Sequence, residues 1–148
     1  MQLADVNVLV HAFRPDATEH ESSRFWLDAL VNGEASYACS DHVLSGFLRI
    51  VTNPRVFAKP DSITDAFAFA EIFRGQPHCV LVQPGPGHWS IFARLCREAG
   101  AKGNLVPDAF FAALAIESGC EWVTFDRDYS RFPGLRWSHP TDLRGLDS

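Results

Sequence analysis

The sequence predicts an α/β protein with a mainly parallel central sheet that helices cover on both faces. Short apolar runs of strand character alternate along the chain with longer segments of helical period. Aspartates stand where several of these runs end or where a helix begins. Because ligands of open parallel sheets bind outside the carboxyl ends of the strands, the same pattern predicts an acidic functional site at that edge.

The predicted strands are short and rich in apolar residues. In the first strand Asp5 and Asn7 interrupt a β-branched apolar run, and the fourth strand delivers Asp126 and Asp128 at its carboxyl end. The predicted strands cover residues 2–9, 36–39, 79–82, 122–125 and 135–137.

The predicted helices follow from apolar stripes of period 3.6 and from their end signals. Ser40 or Asp41 can cap the helix that stops before Asn53, and Gly100 and Gly119 close two later helices. An acid in a first helical turn complements the helix dipole, which suits Asp108. Besides the helix between Ser40 and Asn53, the predicted helices cover residues 17–31, 61–73, 89–99 and 107–118.

Length and composition predict one compact domain over residues 1–148. A chain of 148 residues that is 47% hydrophobic can bury a real core, and it contains no linker or repeat. It also lacks a long uncharged apolar run, so we expect no membrane span and a cytoplasmic protein. The cysteines form no C-x-x-C pair, which favours reduced core thiols over a zinc site or disulfides.

The net charge of -5 argues against broad nucleic-acid binding but does not exclude it. All but two of the 13 basic residues are arginines, whose planar guanidinium suits phosphate recognition. Metal ions would offset negative charge in an acidic cleft.

Asp5, Asp108, Asp126 and Asp128 are the candidate catalytic residues. Several carboxylates without a Cys-His cluster select a hard cation bound through oxygen, so we expect Mg²⁺ or Mn²⁺. Such ions activate water and stabilise a leaving oxygen in phosphodiester hydrolysis. The leading prediction is therefore a metal-dependent nuclease.

Simpler roles for these residues stay open. Asp126 and Asp128 could each be a turn or cap residue. Asp5 is costly to bury in an apolar strand unless something pairs with it. Asn7 and Thr124 are candidate hydrogen-bond partners that orient the metal-binding acids, although Thr124 is also an ordinary strand residue.

Four segments of this chain, in this order, resemble a PIN-domain ribonuclease, and more narrowly the VapC-type toxins of VapBC toxin-antitoxin pairs. The segments are residues 3–10, 43–57, 107–109 and 124–129. The resemblance spans nearly the whole chain, which makes it far more specific than any single aspartate.

The resemblance implies a three-layer α/β/α fold and a Mg²⁺- or Mn²⁺-dependent endoribonuclease that cuts structured RNA such as tRNA or rRNA. It also implies a homodimer and a cognate VapB-type antitoxin that covers the cleft and contacts the early helices near Phe25, Trp26 and Phe47. Asp5, Asp108 and Asp126 match the family's metal-binding acids, and Asp128 would be auxiliary.

One position departs from the family. A glutamate usually stands where this chain has Gly46, and a glycine inside a helix costs roughly 1 kcal/mol relative to alanine. We therefore expect Gly46→Glu to stabilise the helix and to tighten metal binding. Asp41 could replace the missing acid, but its position favours a helix cap.

Two other functions remain in play. A PIN-like module could bind RNA or its antitoxin without cutting, because Gly46 removes a carboxylate. A phosphatase of the haloacid dehalogenase type also begins with a strand that carries two acids, but Asn7 replaces the second acid and no lysine motif follows.

Overall fold

A five-stranded parallel sheet forms the centre of the molecule. The computed structural model describes the backbone of residues 1–145 and the side chains of residues 1–142. The strand order is β3-β2-β1-β4-β5, and all four pairings are parallel. The strands are β1 (Gln2–Ala4), β2 (Tyr37–Cys39), β3 (Cys79–Leu81), β4 (Glu121–Val123) and β5 (Trp137–Ser138).

Six helices cover both faces of the sheet and complete the predicted three-layer α/β/α fold. Because parallel crossovers are right-handed, the strand order implies that the helices between β1 and β3 lie on one face and the two helices between β3 and β4 on the other. The helices are α1 (Val6–Phe13), α2 (His20–Asn32), α3 (Asp41–Val51), α4 (Ile63–Arg74), α5 (His88–Ala99) and α6 (Leu105–Ser118). Two 3-10 helices, Arg127–Arg131 and Pro140–Gly145, were not predicted.

The register of β1 and β4 positions the candidate site. Ala4 pairs with Val123, so Asp5 and Thr124 leave adjacent strands at the same level of the sheet. The Asp5 N–H donates to the Val123 carbonyl at 2.8 Å, which extends the pairing by one residue. Parallel strands thus bring residues that are more than a hundred positions apart into contact at the carboxyl edge.

The prediction of a strand over residues 2–9 is wrong beyond Ala4. Asp5 is extended, with φ -70° and ψ 159°, and its carboxylate accepts the N–H of Val6, so it caps α1. Helix α1 packs against both α2 and α3 and is apolar nearly all round. Such a buried helix lacks the polar face that distinguishes a helix from a strand by its periodicity.

The remaining predicted elements are present, with ends displaced by up to three residues. Ser40 caps α3 by accepting the N–H of His42, whereas Asp41 lies inside the first turn. All four cysteines are free thiols, as predicted. Within residues 1–145, every helix is too short or too polar to cross a lipid bilayer.

Candidate active site

Asp5 is a buried acid at the junction of β1 and α1. Only 7% of the surface of Asp5 is exposed to solvent. Oδ1 accepts the Val6 N–H at 2.6 Å, and Oδ2 accepts the Thr124 hydroxyl at 2.7 Å. These bonds give the carboxylate the partners that its burial requires.

Thr124 and Asn7 connect the ends of β1 and β4. The Asn7 Nδ2 donates to Asp5 Oδ2 and to Thr124 Oγ1, both at 3.4 Å, while Asn7 Oδ1 accepts the Phe125 N–H at 3.3 Å. Thr124 is fully buried, and its Oγ1 also accepts the Asp126 N–H at 3.0 Å. A threonine hydroxyl offers one donor and two acceptor positions, so all of its capacity is used here.

Asp108 reaches the site from the first turn of α6 and is partly buried. Its Oδ1 accepts the hydroxyl of Tyr129 at 3.3 Å. Burial raises the pKa of Tyr129, so the phenol stays protonated and serves as a donor. The acid is thereby tied to the 3-10 helix that follows β4.

Asp126 and Asp128 have different surroundings. Asp126 caps the 3-10 helix, because its Oδ1 accepts the Asp128 N–H at 2.9 Å. The Asp128 side chain is 65% exposed and faces Arg131 at 4.0 Å. The turn and cap role that the sequence left open for Asp126 is therefore present in the structure, while Asp128 lies at the rim.

Neighbouring acids add to the proton affinity of Asp5 and of Asp108. Burial raises the pKa of Asp5 to about 6, and the charges of Asp108 and Asp126 act in the same direction against the hydrogen bonds from Thr124 and Val6. Burial also raises the pKa of Asp108, with added repulsion from Asp126 and Asp128. The four acids thus interact electrostatically across the edge of the sheet.

The donor chemistry fits a hard divalent cation. Asp5, Asp108 and Asp126 carry the carboxylate oxygens that such a cation prefers, and in the described part of the chain none of them forms an ion pair with a basic side chain. Their side chains do not form a finished cage, since no three His, Cys, Asp or Glu groups among the described residues stand close enough to hold an ion. Ligation by all three acids requires side-chain rotation.

Asp41 does not replace the glutamate that is missing at Gly46. Asp41 binds Arg74 through both carboxylate oxygens, at 2.8 and 3.3 Å, on the exposed surface. Gly46 faces the side chain of Val6, the residue that follows Asp5. The packing argues against the expectation that Gly46→Glu stabilises α3, because a β-carbon at position 46 would require the Val6 side chain or the helix to shift.

Sequence reasoning missed Tyr129 and Val6 as residues that shape the site. Tyr129 is buried and touches the rings of Trp122 and Phe132, so it reads as a core aromatic. A buried tyrosine needs a polar partner for its hydroxyl. This requirement points to a role for Tyr129 at the site only once the structure has shown that Tyr129 is buried.

The sequence matches the PIN domain over residues 3–135. The chain belongs to the PIN-domain family. This PIN domain is similar to ribonuclease VapC43 of Mycobacterium tuberculosis, with 42% identity over 142 residues that cover 96% of this chain and 97% of the relative. It is also 42% identical to ribonuclease VapC25 of the same species, over 95% of this chain and 99% of the relative. The predicted resemblance to VapC-type proteins is confirmed.

Solved structures confirm the fold of this PIN domain. VapBC2 from Rickettsia felis, bound to a DNA fragment from its promoter, aligns with a TM-score of 0.67 at 19% identity and covers 93% of this chain and 97% of that one. VapC20 of Mycobacterium tuberculosis, a sarcin-ricin loop cleaving toxin, aligns with a TM-score of 0.63 at 18% identity and covers 92% and 99%.

Proposed function

We propose that this PIN domain is the toxin of a toxin-antitoxin pair and a Mg²⁺- or Mn²⁺-dependent endoribonuclease that cuts structured RNA of the tRNA or rRNA class. The observation that carries the proposal is that hydrogen bonds tie Asp5, Asp108 and Asp126 to the ends of β1 and β4. Thr124 is bonded to the Asp5 carboxylate and to the Asp126 N–H, and Tyr129, on the 3-10 helix that Asp126 caps, is bonded to Asp108. Relatives that are named ribonucleases, at 42% identity over nearly the whole chain, support the activity. The cytoplasm is the proposed location.

The proposed metal ligands are Asp5, Asp108 and Asp126. A bound divalent ion supplies activation of water and neutralisation of phosphate charge. The protein then has to hold its carboxylates ionised and aimed. Thr124 does this for Asp5 by donating to Oδ2, and the hydrogen bond lowers the pKa of that carboxyl against the effect of burial. Tyr129 acts on Asp108 in the same way.

Asn7 and Asp128 have proposed supporting roles. Asn7, on α1, is hydrogen-bonded to Asp5 at the end of β1 and to the Phe125 N–H just after β4. It thereby fixes the distance between the ends of these two strands. Asp128 adds negative charge at the rim, beside Arg131. We propose that it is auxiliary to the metal ligands, where it contacts either the substrate or a water on the ion.

The proposed protein partners are a VapB-type antitoxin and a second copy of this chain. Crystal structures of VapBC complexes from Rickettsia felis and Haemophilus influenzae share the fold of this chain. Trp26 and Phe47 are 5% and 0% exposed, so a partner near them would contact other residues of α2 and α3. Phe25 on α2 is exposed and stays in the proposed surface.

A groove between α3 and α4 is better placed to receive apolar antitoxin side chains. Its volume is about 580 Å³, and Asp41, Glu71 and Arg74 stand at its polar margin. The apolar residues that line it are Leu44, Leu48, Ile63, Phe67 and Ala70. Burying such a surface favours association by roughly 25 cal/mol per Å² of apolar area.

The activity is tested with the purified chain, free of antitoxin, on tRNA and rRNA substrates. We expect cleavage with Mg²⁺ or Mn²⁺, loss of cleavage with a chelator, and no cleavage by Asp108→Asn. If the wild type binds an antitoxin tightly and leaves every RNA intact in both ions, the non-catalytic alternative is correct.

A further inference from the structure

The imidazole of His11 connects helix α1 to the segment that carries Asp126. His11 follows Asn7 by one helical turn, so the two side chains lie on the same face of α1. Asn7 Oδ1 accepts the Phe125 N–H at 3.3 Å, and the His11 ring packs on the Phe125 ring with centroids 5.0 Å apart. Phe125 stands between Thr124 and Asp126 in the chain. Successive turns of α1 therefore hold both the backbone and the side chain of the residue that joins them.

The hydrogen bonds of His11 require a neutral ring. Its Nδ1 accepts the backbone N–H of Glu19 at 3.1 Å, so this nitrogen carries no proton. His20 Nδ1 donates to the His11 carbonyl at 2.9 Å, since a carbonyl can only accept. Burial lowers the pKa of His11, and the charge of Glu19 opposes the effect of burial only in part. Glu19 and His20 are the titratable groups beside the imidazole, and His139 approaches it through Phe125.

The second histidine, His139, also packs on Phe125, with ring centroids 4.8 Å apart. Its Nδ1 is hydrogen-bonded to the hydroxyl of Thr141 and accepts the Thr141 N–H at 3.3 Å. A hydroxyl can turn from donor to acceptor when the ring gains a proton, so His139 then keeps a partner. A backbone N–H can only donate, so protonation of His11 breaks its bond with Glu19.

We propose that His11 is a positioning residue of the candidate active site: the neutral imidazole holds Phe125 against α1, and protonation of His11 releases the segment that carries Asp126. This inference rests on the proposed function, because Asp126 is a proposed metal ligand. A proton on Nδ1 faces the Glu19 N–H donor to donor, and both groups lose their partner. The ring then moves, and Phe125 loses a packing contact. Acidic pH thus weakens metal binding by more than protonation of the carboxylates requires.

The first test follows backbone amide and imidazole NMR signals of the full chain, with a chelator, from about pH 5 to pH 8. In the wild type we expect the amide signals of Phe125 and Asp126 to share a titration step with the His11 imidazole, with a midpoint below about 6.5. His11→Phe keeps a ring against Phe125 but cannot gain a proton, so this step should vanish. Asp5 titrates in the same range, and its own step should persist in both proteins.

Mn²⁺ affinity, measured by calorimetry, gives a second readout. His11→Ala removes the ring and should weaken Mn²⁺ binding at every pH. His11→Phe should bind Mn²⁺ within a few-fold of the wild type at about pH 7.5. At about pH 5.5 it should bind more tightly than the wild type, by roughly fivefold, which is the lower end of a typical coupling between two sites. A histidine with a merely structural role would leave the pH profile of Mn²⁺ binding unchanged in His11→Phe.

His20→Gln and His139→Gln are the matched controls, and both should keep the titration step of His11. The proposal is overturned if the two amide signals do not follow His11 in the wild type, or if their step persists in His11→Phe. Loss of the step in His139→Gln would also overturn it, because the second histidine would then be the group that titrates. Failure of the proposed function is a different result: the wild type binds no Mn²⁺ at any pH, while the amide signals still titrate with His11.

Discussion

Gly46 and Val6 are in such close contact that a β-carbon at position 46 would lie 2.9 Å from Val6 Cγ2. Real β-carbons essentially never come this close to another heavy atom, so a side chain at 46 forces a displacement. The glycine allows α3 to approach the start of α1, directly beside Asp5. The absence of the family's usual glutamate is thus coupled to the packing of these two helices.

We predict that Gly46→Ala lowers the free energy of unfolding by up to about 2 kcal/mol, because overpacking costs about 1 to 3 kcal/mol and the gain in helix propensity is about 1 kcal/mol. The stiff, β-branched Val6 cannot move aside without a change of rotamer. Chemical denaturation of both proteins measures the difference.

The matched control removes the obstructing methyl groups. In a Val6→Ala background, Gly46→Ala should be neutral or stabilising, and Gly46→Glu should then increase Mn²⁺ affinity through a carboxylate beside Asp5. A more stable Gly46→Ala in the wild-type background would show that the contact with Val6 does not explain the glycine.

The sequence predicted the order of strands and helices but not where β1 ends. The run from Val6 to Val10 is apolar except for Asn7 because α1 is enclosed by neighbours, and that burial is a property of the tertiary structure. The candidate metal-binding aspartates could be predicted because an acid at the end of an apolar run, or at the start of a helix, can be recognised from the sequence alone. The roles of Tyr129 and Val6 could not, since they depend on distances between residues far apart in the chain.

Substitution of a proposed metal ligand should reduce the cleavage rate more than substitution of Asp128, which lies at the rim of the site. Asp108→Asn and Asp126→Asn should each lower the cleavage rate at least about 100-fold, because a bound metal supplies several kcal/mol of transition-state stabilisation. Asp128→Asn should cost less than about tenfold, since its carboxylate is exposed and screened by solvent. Single-turnover cleavage and Mn²⁺ titration calorimetry measure both effects; equal losses in all three variants would contradict the division of roles.

The metal-free protein should lose stability as Asp5 ionises. The pKa of Asp5 in the folded state is raised from 3.8 to about 6. The stability that the protonated Asp5 contributes is therefore fully present below about pH 4 and is lost as the pH rises through 6. The change is about 3 kcal/mol between about pH 4 and pH 7. The free energies of unfolding of the wild type and Asp5→Asn, measured with a chelator across this range, isolate it.

The expected difference, wild type minus Asp5→Asn, falls with increasing pH in the chelated protein. Because Mn²⁺ binds the ionised carboxylate, adding the ion should reverse this slope. A difference that does not vary with pH would mean that Asp5 titrates in the folded chain as it does in the unfolded one.

Thr124 offers the sharpest test of how the site is held together. Thr124→Val keeps the shape of the side chain but removes the donor to Asp5 and the acceptor for the Asp126 N–H. We expect a loss of about 1 to 3 kcal/mol in the free energy of unfolding, because buried polar groups are left without partners. The pKa of Asp5 should also rise further, since the bond from Thr124 lowers it in the wild type. Mn²⁺ affinity near neutral pH should consequently fall.

The control for this prediction is Thr124→Ser, which retains the hydroxyl and should preserve metal affinity, although the missing methyl group weakens packing. A serine variant that binds Mn²⁺ as poorly as the valine variant would show that the hydroxyl is not what positions the acid.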